Sequence, residues 1–144
     1  LINDLFETMY NSKGIGLAAV QVGVLKRILV LDVSSKDEKK KPLSFINPII
    51  KNVSDETSIY EEGCLSIPDT FIEIERPKIC EIEYIDIDGK KKSLKCDGLL
   101  STCLQHEINH LDGKLIIDYL SKLKRDIIIK KISKSQKNPD RILV

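Results

Sequence analysis

Leu1, Leu5, Phe6 and Met9 recur at helical spacing, which predicts an amphipathic helix over residues 1–12. NSKGIGLAA then breaks the period with Gly14 and Gly16. RILVLDV (27–33) is a short, β-branched apolar run and reads as a buried strand. The charged stretch SSKDEKKKP (34–42) reads as a surface loop. LSFINPII (43–50) follows as a second strand, in which Pro48 demands an edge or a bulge. YEEGCLSIP (60–68) has no regular period and reads as a loop, whereas DTFIEIER (69–76) alternates Phe71, Glu73 and Glu75 against Ile72 and Ile74 as a strand does. ICEIEYIDIDGKKKSLKC (79–96) predicts a hairpin turning at Asp88-Gly89.

GLLSTCLQHEINHLDG (98–113) places apolar residues at 99, 100, 103, 104, 108 and 111, a helical set closed by Gly113. A further helix is predicted over 119–133, with a Lys-rich end that frays. Strands come first and helices last, joined by hairpins rather than βαβ units, so the expected class is α+β. At 144 residues and 42% hydrophobic, the chain is expected to form one domain around one core.

Composition narrows the picture. The net charge of +1 gives no general drive toward nucleic acid, but the basic residues are uneven: from Lys114 onward, nine Lys/Arg face three Asp. A basic segment over about 119–144 on a slightly acidic body suits docking on an anionic surface. No apolar run is long enough to cross a membrane. Four cysteines, at 64, 80, 96 and 103, lack any C-x-x-C pair and suggest reduced thiols in a cytosolic protein. The first residue is Leu and already lies within the helical pattern, so the natural beginning is expected to be missing.

The only two histidines, His106 and His110, lie one turn apart with Glu107 beside them. At that spacing two imidazoles can hold one divalent metal while the carboxylate reaches a water bound to it. A catalytic site needs a third protein ligand. Cys103 shares the face, but it stands ~7–8 Å along the axis from a metal between His106 and His110 at 1.5 Å per residue, too far for a Cys side chain to span, and it instead lines a pocket wall with Leu99 and Thr102. Cys80 falls on a strand face with Ile82 and Tyr84 and reads as a buried small hydrophobe. Cys96 ends a strand without an evident companion. Cys64, beside Gly63 and after two carboxylates, stands ahead of the others. Downstream Asp112, Asp118, Asp126 and Asp140 stay open as ligands, as in a zinc endopeptidase of the H-E-x-x-H type. A non-catalytic alternative makes the metal structural and the basic end a ribosome-binding module.

GIGLAAVQ (14–21), EGCLSIP (62–68) and QHEINHLDG (105–113) resemble, in order and separation, the three signature motifs of peptide deformylases. Arg76-Pro77, DGLLSTCLQ (97–105) and LSKLKRD (120–126) extend the resemblance over nearly the whole chain, in the bacterial form with a C-terminal helix. The resemblance implies antiparallel strands and hairpins packed around a central metal-binding helix. It implies hydrolysis of the N-formyl group of formyl-methionine on new proteins, releasing formate. Cys64, His106 and His110 would be the metal ligands, with one divalent ion, Fe2+ first and Zn2+, Ni2+ or Co2+ as substitutes. Glu107 would act as general base and then acid. The Gln21 amide and the backbone N–H of Leu65 would stabilise the oxyanion. Ile15 and Tyr60 would face Leu99, Thr102 and Cys103 across a methionine pocket, and the Gly14–Gly16 segment would admit the substrate backbone as an added strand. Asn109 stands where the family commonly has Asp and is expected to support the site rather than ligate. Glu62 is the expected partner of a ligand imidazole. The implied partners are nascent formyl-methionyl peptides and, through the basic C-terminal helix, the ribosome, with no membrane and no sequence-specific nucleic acid. The implied compartment is the bacterial cytoplasm or an organelle. The family also carries a further segment, with a first strand, ahead of residues matching LINDLFETMY.

Overall fold

Alternation along one strand organises the core. In a computed structural model, which describes residues 1–137, Leu29 and Leu31 of β2 (Ile28–Leu31) point to one side and Val30 to the other, as the two-residue period of a strand dictates. On the first side lie Phe45 from β3 (Leu43–Val53), Ile82 from β6 (Cys80–Ile85), and Cys103, Leu104 and Ile108 from α2 (Gly98–Leu111). On the second side lie Leu5 and Met9 of α1 (Ile2–Asn11). One strand thus holds a helix on each face. Each fully buried large side chain here contributes on the order of 2 kcal/mol.

The main sheet is antiparallel, in the order β1-β2-β3-β6-β7, with β1 (Gly16–Ala18) and β7 (Lys91–Cys96) at its edges. Pro48 sits inside this sheet, in β3. The register slips between Ile46 and Ile49, and Asn47 takes a φ of 51°, so the ladder bulges where proline offers no donor. The β6–β7 hairpin turns at Gly89, φ 80°, as expected. Its root pairs Cys80 with Cys96, giving Cys96 the companion its sequence context had not shown.

A second, two-stranded sheet corrects the reading of YEEGCLSIP. The segment is no loop: β4 (Thr57–Cys64) and β5 (Ile67–Pro77) form a hairpin, with a register shift between Gly63 and Cys64. The period of two is present, since Ser58, Tyr60, Glu62 and Cys64 all turn inward. Its inward positions carry polar groups with buried partners, which is why hydrophobicity did not reveal it. Ile67, Ile72 and Ile74 of this hairpin pack on Ile116 and Ile117.

α2 is closed beyond Leu111 by Gly113, φ 77°, whose N–H reaches the His110 carbonyl. The predicted helix over 119–133 divides: a 3₁₀ turn covers Ile116–Tyr119, Leu120 is extended, and α3 runs Lys122–Lys137. Part of the fraying expected at the Lys-rich end lies beyond the described residues. No helix among the described residues is long and apolar enough to cross a membrane. The α+β class with antiparallel strands around α2 is what the chain adopts.

Candidate active site

α2 runs between the five-stranded sheet and the β4–β5 hairpin. One face supplies His106 and His110, whose ring centroids are 5.1 Å apart. The end of β4 brings Cys64 opposite them, with Sγ 3.2 Å from His110 Nε2. One ligand atom from each of Cys64, His106 and His110 lies within 4.8 Å of the others. Burial alone would raise the Cys64 thiol, but the two imidazoles outweigh it and bring the thiol down to about 6. A thiolate is thus available near neutral pH, the form that ligates metal. Two of the downstream carboxylates are engaged elsewhere: Asp112 pairs with Arg27 at 2.9 Å, and Asp118 caps the Leu115 N–H at 2.8 Å and meets Arg125 at 3.3 Å. Asp126 is not in the ligand cluster, and Asp140 lies outside the described residues.

His106 is oriented from behind. Its Nδ1 lies 2.8 Å from Glu62 Oε1, leaving Nε2 for the cluster. Arg76 grips the same carboxylate twice, Nε to Oε2 at 2.7 Å and Nη2 to Oε1 at 3.0 Å. Burial would raise Glu62, yet His106 and Arg76 hold it below the usual carboxylate range. The remaining Arg76 nitrogen, Nη1, donates to Asn109 Oδ1 at 2.7 Å and to the Tyr119 hydroxyl at 3.0 Å, and that hydroxyl donates to Asn109 Oδ1 at 2.9 Å. The expected link from Glu62 to a ligand imidazole is present, and Asn109 lies outside the ligand cluster. Arg76 appeared in the sequence only as part of an Arg-Pro pair and Tyr119 not at all, because a polar network assembled from four elements has no local period.

Glu107 is 5% exposed, and its Oε2 is buried without a hydrogen-bond partner. Burial pushes its carboxyl up to about 7, with the two imidazoles opposing. The strand opposite accommodates it through Gly16, where an added Cβ would fall 2.7 Å from Glu107 Oε1 and 2.8 Å from Leu31 Cδ2. Gln21 stands in a 3₁₀ turn (Ala19–Val22) after β1. The Ala18 N–H holds its Oε1 at 2.8 Å, while Nε2 donates to Ser66 Oγ at 3.0 Å and lies 3.8 Å from Cys64 Sγ. Ser66 was not anticipated; it follows Cys64 by two residues and had no motif role of its own.

These groups open on one cleft of ≈ 530 Å³. Ile15, Gly16, Tyr60 and Leu65 line it, as do Leu99, Thr102 and Cys103 from α2. Every residue that the sequence reading placed at the site therefore faces this cleft, apart from His110, which joins it through the ligand cluster. Chemically, the arrangement offers a thiolate and two imidazoles converging on one point, a buried carboxyl poised near neutrality, and an amide donor beside them.

A family model described as polypeptide deformylase matches residues 1–126. The peptide deformylase of Pelagibacter ubique is 61% identical over all 144 residues, spanning 83% of that protein. That of Rhizobium meliloti is 57% identical over 137 residues, covering 95% of this chain and 79% of its own. The crystal structure of peptide deformylase from Ehrlichia chaffeensis superposes with a TM-score of 0.90 at 44% identity, covering 96% of this chain and 82% of that one.

Proposed function

This chain belongs to the polypeptide deformylase family, and from that premise we propose that Cys64, His106 and His110 hold its metal and Glu107 moves its protons. The enzyme removes the N-formyl group from nascent peptides by metal-dependent hydrolysis. One observation carries the residue assignment: three ligand atoms within 4.8 Å of one another lie beside Glu107, whose Oε1 is 4.0 Å from His106 Nε2 and whose Oε2 is buried without a partner. A thiolate with two imidazoles suits a divalent transition metal and leaves a coordination position open. Such an ion supplies a water of near-neutral pKa and polarises the formyl carbonyl. Ferrous iron is the ion the resemblance implies, and zinc, nickel and cobalt suit the same donors.

The side chains divide the remaining work. Glu107, held near 7, accepts a proton at its carboxylate, whose Oε1 lies 4.0 Å from His106 Nε2, and returns it to the leaving amine. Gln21 Nε2 and the Leu65 backbone N–H donate to the oxygen that gains charge, each worth roughly 3–4 kcal/mol of barrier. Ile15, Tyr60, Leu99, Thr102 and Cys103 receive the methionine side chain. β1 is an edge strand, and its Gly16 lines the cleft, so the peptide backbone adds there as a further strand.

Formate release from a short formyl-methionyl peptide, by anaerobically purified protein loaded with iron or nickel, tests this reading. Glu107→Ala is expected to lose about 10²–10⁴ in kcat with metal content unchanged, and Cys64→Ser to lose the metal. Full activity in Glu107→Ala would overturn the assignment. Metal analysis of the protein as purified decides between iron and its substitutes.

We further propose that α3 brings the enzyme to the ribosome in the cytoplasm. Lys122, Lys124, Arg125, Lys130, Lys131 and Lys134 are all exposed along it, a basic surface suited to phosphate. Co-sedimentation with ribosomes should weaken about 10³-fold between roughly 50 and 200 mM salt, as for a protein that neutralises about six phosphates. Binding that ignores salt, or none at low salt, would remove α3 from this role.

A further inference from the structure

Outside the catalytic cleft, two thiols meet at the root of the β6–β7 hairpin. Cys80 and Cys96 are direct cross-strand partners, with Sγ atoms 3.2 Å apart, and the Cys96 thiol also lies 3.4 Å from the Cys80 carbonyl oxygen. We propose that Cys80 and Cys96 form a reversible intramolecular disulfide under mild oxidation, a modification site separate from the metal cluster. Directly opposed residues of an antiparallel pair have Cα separations of about 4.5–5.5 Å, within the range a disulfide spans. Only the side chains need to adjust.

Access follows from the topology. β7 is an edge strand, and Cys96 is its last residue, directly before α2. Edges and strand ends open locally at far less than the cost of global unfolding. Lifting the end of β7 uncovers Cys80, which is otherwise fully buried. The hydrogen bond from Cys96 lowers the Cys80 thiol below its usual range, with burial opposing and Ser101 assisting, and raises the Cys96 thiol in turn.

Hydrogen peroxide is the oxidant the chemistry needs. The Cys80 thiolate attacks one peroxide oxygen, the O–O bond breaks and hydroxide leaves, producing a sulfenic acid. The Cys96 sulfur then attacks Cys80 Sγ, the S–O bond breaks, and water departs with the Cys96 proton. Two thiols are oxidised and one peroxide becomes two waters, the hydroxide taking up the proton Cys80 had released. The bond would pin edge strand to neighbour at the foot of the catalytic helix. Ser101 of α2 lies 3.4 Å from Cys80 Sγ, and Gln105, next to His106, donates to Ser101 Oγ at 3.0 Å and to the Pro77 carbonyl at 2.9 Å.

The test uses nickel-loaded protein, treated with graded hydrogen peroxide, quenched with N-ethylmaleimide and digested without reductant for mass spectrometry. A linked Cys80–Cys96 peptide two hydrogens lighter is expected, released by dithiothreitol and absent in Cys96→Ala. The oxidised protein should melt about 5–10 °C higher, as for closure of a loop of this length, and return on reduction. Recovery of both thiols as maleimide adducts after unfolding would overturn the proposal. So would their oxidation to separate sulfinic acids, or their linkage to other cysteines or between chains. The readout comes from the parent protein, so it stands even if the alanine variant fails to fold.

Discussion

The Ala18 N–H takes the Oε1 end of Gln21, so the Nε2 end is the one turned toward Ser66 and Cys64. A glutamine held this way presents a donor without rearrangement, the condition under which a single donor matters most to a developing oxyanion. Gln21→Ala should therefore lower kcat for formyl-peptide hydrolysis by about 10²–10³ while KM moves only a few-fold. A change confined to KM would mean that Gln21 binds the substrate without favouring its transition state. That these residues gather in one place was legible from the chain: the spacing of His106, Glu107 and His110 places them on one helical face, and the motifs pointed to Cys64, Gln21 and Leu65. Ser66, Arg76 and Tyr119 were not legible as site residues, because nothing at their own positions announces a partner 33 to 45 residues away.

Elements dock here through polar ties as well as apolar faces. α1 lays Leu5 and Met9 on Leu17 and Val30, and adds a hydrogen bond from Tyr10 to Asp32 Oδ2 at 2.6 Å. Burial first, then the bond to Asp32, pushes the Tyr10 phenol up to about 12. A folded pKa above the unfolded 10.0 stabilises the fold fully below pH 10, and that stability is lost as pH rises through about 12. Denaturant unfolding should show the parent losing stability more steeply than Tyr10→Phe across this window. The variant itself should be about 1–2 kcal/mol less stable at pH 8, since it leaves Asp32 short of a donor. Parallel pH profiles would sink the account. Element prediction succeeded where the buried face is apolar, as in α1, α2, β2 and the β6–β7 hairpin. It failed at β4, whose inward positions hold Tyr60, Glu62 and Cys64, and at Leu120, where the helix after the 3₁₀ turn restarts later than its apolar residues suggest.

Across the whole molecule, the two sheets meet at α2, and the proposed metal ligands divide between α2 and the hairpin's β4. A metal held by both ties the hairpin to the rest, so chelation should lower the melting temperature as well as abolish activity. At an ion concentration 100 times the dissociation constant the loss is about 2.7 kcal/mol, and a melting curve with and without chelator measures it. An unchanged melting temperature after verified metal removal would show that the hairpin docks by its isoleucines alone. The two open edges of the main sheet carry a further consequence, for self-association. An edge strand templates pairing with another chain whether or not that chain is substrate. β7 meets this hazard with exposed Lys91, Lys92 and Lys95, whose like charges keep a second copy of the strand away. β1 has no charge to spare, because its edge borders the cleft, and it is three residues long before the 3₁₀ turn ends the ladder. A strand that short can hold the first residues of a peptide already anchored elsewhere, yet offers too few bonds to seed a fibril, so brevity does for β1 what lysine does for β7.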